Sequence, residues 1–185
     1  MQLILASSAP ARKEALEQLG LIFSVISPDI DEKAIRHDDP KQMVRMIAEA
    51  KARAVDAQGI IIAGDLFVTM DGNVYEKPEN KEEAKQMLQS FSGKTVAVIS
   101  GACVYNTLND RMESTVDVCE MRFRELKDNE IDKYVQENEV TRFAAGYDHK
   151  GQILFVDHVC GSFNYELGFS VSSVIKLLRK QGVDV

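Results

Sequence analysis

Along this chain, short runs in which nearly every residue is apolar alternate with longer stretches in which apolar residues recur every three or four positions. Runs of the first kind suit strands buried on both faces, and stretches of the second kind suit helices with one buried stripe. On that basis a strand is predicted over 2–6, a helix over 10–19 and a strand over 21–26 (LIFSVI). A polar loop, SPDIDEKAIRHDD, follows, and Pro40 opens a helix over 40–56, with Met43, Ile47, Ala50 and Ala54 at helical spacing. The run GIIIAGDLFVTMDG reads as a buried strand ending in a turn at Asp71-Gly72, after which NVYEKP is extended again. Residues 79–91 form a helix whose charge runs from acidic to basic, the order that the helix dipole favours. Two long strands, about 95–105 and 112–123, make a ribbon joined near Asn109-Asp110. A helix over 128–137, a strand over 151–160 and a closing helix over 170–181, stopped by Gly182, complete the pattern.

Strands and helices alternate at first, and long paired strands dominate later. The pattern is a mixed α/β domain with a partly antiparallel sheet and a ligand cleft between its two ends or lobes. There is no internal repeat, low-complexity tract or Pro/Gly-rich linker, and 185 residues fit one domain, or one domain with a small lobe.

Composition narrows the function classes. A net charge of −7 and a pI near 5.0 argue against broad nucleic-acid binding, which needs a basic face, but leave room for a small basic pocket holding one anion. The opening MQLILASSAP has no cationic leader, its apolar run is too short for a signal peptide, and no run approaches a membrane span. A cytoplasmic chain without a membrane partner is expected. The three cysteines, Cys103, Cys119 and Cys160, are widely spaced and odd in number, which suits reduced thiols filling strand interiors. With His37, His149 and His158 they form no metal-binding spacing.

Candidate chemistry sits where residue type and pattern disagree. Asp65 interrupts the apolar segment 60–68, and a carboxylate there is costly unless it is paired or metal-bound. It is either a structural residue capping a bend after Gly64, or a metal ligand or general base. Asp29, Asp31 and Glu32 crowd one loop, a solvated acidic loop unless it reaches Asp65; Mg²⁺ takes one or two carboxylates completed by phosphate oxygens and water. Lys77, on a stiff turn before Pro78, can set a point charge beside a phosphate. Of Lys51 and Arg53 in EAKARA, one faces the helix exterior. Ser7 and Ser8 either cap the first helix or join Arg12 in an anion pocket. No G-x-x-x-x-G-K-[ST] or G-x-S-x-G element occurs. Three cations (Arg12, Lys51, Lys77) with two acids (Glu32, Asp65) suit metal-assisted phosphate chemistry.

The ordered series LASSAPARKEAL, PDIDE, EAKARA, AGDLFV, EKP, MLQSFSGKTVAVISG, AAGYDHKG and NYELGFSVSSVIKLL resembles the Maf family of nucleoside triphosphate pyrophosphatases from residue 3 to about 178. The resemblance implies one Maf-like domain over 1–185, a mixed α/β fold with an elongated, partly antiparallel sheet flanked by helices, and two lobes around a cleft. It implies hydrolysis of a nucleoside triphosphate, a canonical pyrimidine or a modified nucleotide, to monophosphate and pyrophosphate, with a divalent cation (Mg²⁺, Mn²⁺ or Co²⁺). Related enzymes clear modified nucleotides before polymerases use them. By the resemblance, Asp65 binds the cation or activates water and Glu32 helps hold the metal. Ser7, Arg12, Lys51 and Lys77 grip the triphosphate, and Lys150, where a Gln is common, adds charge near the phosphates, contacts a different base, or is a solvated lysine beside Gly151. A homodimer is compatible with such a chain. Departures from the family pattern are Ala11 for the first arginine of S-P-R-R, Leu66 for Thr, Val96 for His, Lys150 for Gln and GFSVS for GLPLS. Ala11, Leu66 and Val96 motivate an alternative, a catalytically weakened nucleotide-binding regulator linked to cell division.

Overall fold

The structure, a computed structural model, describes residues 2–161 and 168–185. Its elements in chain order are β1 (Leu3–Leu5), α1 (Pro10–Gln18), β2 (Phe23–Val25), α2 (Pro40–Arg53), β3 (Ile60–Met70), β4 (Asn73–Tyr75), α3 (Lys81–Phe91), β5 (Thr95–Asn106), β6 (Arg111–Phe123), α4 (Asp128–Glu137), α5 (His149–Phe155), β7 (Val156–Gly161) and α6 (Val171–Lys180). The seven strands form one mixed sheet in the order β2-β1-β3-β5-β6-β7, with β4 paired to β3. β1 is parallel to β2 and β3, whereas β4 and β7 are antiparallel to β3 and β6. The mixed α/β class read from the alternation is the observed one.

The chain divides into two compact units. The first takes its residues from 1–66, 99–117 and 162–185. Its strands β1 and β3 are buried on both faces, which is why their sequences are continuous apolar runs. Leu3, Leu5, Ile60 and Ile62 pack under α1 and α6 with Leu16, Val174 and Leu177. Ile4, Ala6, Ile61 and Ala63 turn to the opposite face and pack with Ala48 and Ala52 of α2. Two glycines let these layers close. A Cβ at Gly64 would lie 2.8 Å from the Phe169 ring, and one at Gly101 would lie 2.7 Å from the Val44 carbonyl oxygen.

The second unit comprises 67–98 and 118–161. Asp71 and Gly72, with φ of 53° and 81°, form the two-residue hairpin between β3 and β4 that their sequence predicts. The rings of Phe91, Phe123 and Tyr147 pack at 5.4–6.4 Å around this unit's core, with Tyr75 edge-on to Phe91 at 4.7 Å.

Several expectations are corrected. Residues 149–155 are helical, and the strand predicted over 151–160 is confined to β7. The Asp148 carboxylate causes this by accepting from the Gly151 N–H at 3.0 Å and the Tyr134 hydroxyl at 2.7 Å, so that it caps the turn. The helix predicted over 79–91 starts two residues later, at Lys81, with Asn80 accepting from the Glu83 N–H. The buried stripe of α2 runs through Met43, Val44, Ile47, Ala48 and Ala52 rather than Ala50 and Ala54. Cys103 and Cys119 do fill strand interiors, and burial pushes the Cys103 thiol up to about 12, but Cys160 is exposed. Residues 164–167 of the motif NYELGFS lie outside the described residues. Among the described residues no helix is long and apolar enough to cross a membrane.

Candidate functional site

The site grows from two positions that break the hydrophobic pattern. In α2, Asp39 accepts from the Lys41 N–H, Pro40 takes the first helical position, and the stripe Met43–Ile47 continues four residues later to Lys51. Lys51 is therefore carried inward and is only 5% exposed, while Arg53 lies outside with its guanidinium 5.4 Å from the Tyr105 ring centre. Asp65 sits in the uninterrupted strand β3 and is 8% exposed; there is no bend at Gly64 for it to cap. The two misfits meet: Lys51 Nζ lies 2.9 Å from Asp65 Oδ1.

Glu32 completes the bridge. It opens a single 3₁₀ turn, Glu32–Ala34, that Asp31 caps by accepting from the Lys33 N–H. Its Oε2 lies 2.8 Å from Lys51 Nζ, and half of its side chain is open to solvent. Asp31 is spent on the cap, and Asp29 is exposed.

Arg12 closes the cluster from α1. Nε donates to the Gly168 carbonyl at 2.9 Å, Nη1 donates to Ser7 Oγ at 3.1 Å, and Nη2 lies 3.9 Å from Asp65 Oδ1. Burial lowers the Arg12 pKa from the ordinary arginine value, and the Asp65 and Glu32 carboxylates oppose that shift. Ser7 Oγ also accepts from the Ala9 N–H. Ala9 occupies the cap position before α1 and no side chain caps the helix, so Ser7 serves Arg12 and the turn. The Gly168 carbonyl was missed in the sequence, where a backbone acceptor leaves no signal. Its φ of 86° and the lack of a Cβ, which would lie 3.0 Å from Arg12 Cγ, admit the guanidinium.

Ser7, Arg12, Glu32, Lys51 and Asp65 are thus brought together within the first unit. Two cations face two carboxylates, so the buried charges compensate each other, as burial demands. Lys77 and Lys150 belong to the second unit. Lys77 is exposed between β4 and α3, and Lys150, in the first turn of α5, donates to Asn138 Oδ1 at 3.2 Å. Of the departures, Val96 is fully buried, a core position, whereas Ala11 and Leu66 are half-buried.

The residues fit a hard divalent cation. Among the described residues no three His, Cys, Asp or Glu side chains gather into a complete metal site. Glu32 and Asp65 offer two carboxylates that already share a cationic partner, Lys51. Two carboxylates are what Mg²⁺ takes when phosphate oxygens and water complete its shell.

The cluster of two cations and two carboxylates thus belongs to an α/β unit built on the parallel strands β2, β1 and β3. Comparison with known families makes that particular. The family model described as Maf-like protein matches residues 2–181, and the chain belongs to that family. It is similar to a 7-methyl-GTP pyrophosphatase of Idiomarina loihiensis, 37% identical over all of this chain and 96% of the relative. It is also similar to dTTP/UTP pyrophosphatases of Desulforamulus reducens and Bacillus anthracis, at 35% and 34% identity over 99% and 100% of this chain and 98% and 97% of the relatives.

Proposed function

We propose that this chain is a nucleoside triphosphate pyrophosphatase: water attacks the α-phosphorus, the bond from that phosphorus to the bridging oxygen breaks, and monophosphate and pyrophosphate leave. The observation that carries this reading is the position of Lys51 Nζ between Glu32 and Asp65, with Arg12 beyond Asp65. Relatives named for 7-methyl-GTP and for dTTP/UTP support the reaction and bracket the substrate as a modified purine or a pyrimidine triphosphate.

Asp65 orients the attacking water and accepts its proton. Arg12 and Lys51 neutralise the phosphates and the charge that builds on the leaving pyrophosphate. Ser7 holds the Arg12 fork in register from its 3.1 Å contact. Glu32 and Asp65 are the residues that would hold a divalent cation, which when bound withdraws charge from the phosphate oxygens. The reading also takes Lys77 and Lys150 as substrate contacts, on the family resemblance alone.

The test is incubation of the purified chain with dTTP, UTP, 7-methyl-GTP and the common triphosphates, with Mg²⁺ or Mn²⁺, and chromatography of the products. Equal amounts of monophosphate and pyrophosphate from at least one nucleotide are expected. Release of orthophosphate with diphosphate would place the attack at the γ-phosphorus and overturn the reading, as would a lack of turnover with every nucleotide. The departures Ala11 and Leu66 favour a second reading, a nucleotide-binding regulator. It requires nucleotide binding with turnover no faster than that of Asp65→Asn.

A further inference from the structure

We infer that Lys51 occupies the divalent cation's place between Glu32 and Asp65 while no triphosphate is bound, so that this chain takes up the cation together with nucleotide and not ahead of it. The inference rests on the pyrophosphatase reading for the identity of the ligand. Its ground is the shape of the cluster. Lys51 Nζ meets one oxygen from each carboxylate, at 2.8 and 2.9 Å, so the two residues that would hold a cation are both engaged by the one ammonium. The ammonium is placed there by the fold, since Lys51 continues the buried stripe of a capped helix.

The other cation cannot take over this role. Arg12 is committed to the Gly168 carbonyl and to Ser7 Oγ, and of the two carboxylates its contact is with Asp65, at 3.9 Å. With Lys51 in place, the two cations and two carboxylates sum to zero, and a free divalent ion approaching the pair would meet an ammonium already between its ligands. A triphosphate changes the balance by supplying several negative oxygens at once. The flexible four-carbon stem lets Nζ turn from the carboxylates to a phosphate oxygen, so Lys51 exchanges one anionic partner for another and is never left buried and unpaired. Lys51 thereby couples nucleotide arrival to exposure of the carboxylate pair.

The experiment is a titration of nucleotide-free protein with Mn²⁺, reading free Mn²⁺ by electron paramagnetic resonance. Wild type is expected to show no saturable uptake below about millimolar, and Lys51→Met to bind one Mn²⁺ per chain at least about tenfold more tightly. Glu32→Gln, which keeps Lys51 but leaves one carboxylate, is expected to bind no better than wild type. A Lys51→Met chain that binds no more tightly, or a wild type that binds equally well through Glu32, overturns the inference. Lys51→Gln, neutral but polar, repeats the test if the methionine variant does not fold. If neither folds, the wild-type titration decides, because saturable uptake that Glu32→Gln abolishes contradicts occupation by Lys51. Turnover without this Mn²⁺ difference would defeat the inference alone. The Mn²⁺ difference without turnover of any nucleotide would defeat the pyrophosphatase reading alone.

Discussion

Replacing Asp65 by Asn removes one negative charge and almost no volume, so its effects on folding and on chemistry separate. Breaking a buried ion pair outright costs roughly 3–5 kcal/mol, because the surviving partner is stranded. Here neither cation is stranded: Lys51 keeps Glu32 at 2.8 Å, and Arg12 keeps Ser7 and the Gly168 carbonyl. The Asn carbonyl can still accept from Lys51, and the Glu32 carboxylate is half open to solvent. The expected cost is therefore about 1–2 kcal/mol, less than typical domain stability. In a chain of 185 residues that lowers the melting temperature by about 2–8 °C and leaves the protein folded at 25 °C.

The chemical cost is larger. Loss of the proposed proton acceptor is expected to lower kcat roughly 10²- to 10⁴-fold, with KM within about threefold of wild type because Arg12 and Lys51, the proposed phosphate contacts, are unchanged. Pyrophosphate release across a range of nucleotide concentrations gives both constants, and a thermal melt of the same sample gives the stability. A kcat within about tenfold of wild type refutes the role given to Asp65. So does a variant whose KM rises while kcat holds, since that marks an interaction made equally in ground and transition states. A variant unfolded at 25 °C refutes the energetics instead.

Two further substitutions probe the supports of the fold and site. Arg12→Lys keeps a charge near Asp65 but loses the fork that reaches both Ser7 and Gly168, so stability should fall by about 1–3 kcal/mol and KM for the triphosphate should rise; an unchanged melting temperature would contradict the bonds described for Arg12. Asp148→Ala should cost about 1–2 kcal/mol by uncapping α5 and releasing the Tyr134 hydroxyl. Burial pushes the Asp148 carboxyl up, but hydrogen bonds from Tyr134 and from the Gly151 N–H outweigh it and hold the pKa below the ordinary 3.8. Because the folded value is depressed, its contribution is full above 3.8 and is lost as pH falls through the lower folded value, so the gap in melting temperature between wild type and variant should close in that acid range.

The helix over 128–137 was legible to the residue, and the buried strands were legible because burial on both faces leaves an unbroken apolar run. The helix 149–155 was not. It spans seven residues, the apolar run ILFV that it enters fits either state, and the group that steadies its cap, Tyr134, comes from α4. In α2 the phase was ambiguous because alanine sits equally well inside or outside. Ala50 and Ala54 fit the period, but Ala48 and Ala52 carry the packing, and with them Lys51 goes inward and Arg53 outward. Asp65 was conspicuous as the acid in an apolar strand, but its partners, Arg12 and Lys51, come from two other segments of the chain, and no spacing shows them.

That Lys51 and Asp65 are each misplaced by pattern, and compensate each other, bears on why the cluster exists. A pair serving only the fold would gain by replacement: buried ion pairs are often about 1–4 kcal/mol less stable than apolar residues of equal volume. A lysine on the buried stripe of α2 and an aspartate inside β3 are positions where Leu and Val would satisfy every local rule. The chain instead keeps these two charges and adds Arg12, buried with them, and Glu32, which opens half its side chain to solvent. Four charges of both signs, with one member reachable from water, are poor economy for a core. They suit a ligand that brings negative oxygens for Arg12 and Lys51 and positive charge for Glu32 and Asp65, because each side chain can then change partner without a buried charge going unpaired.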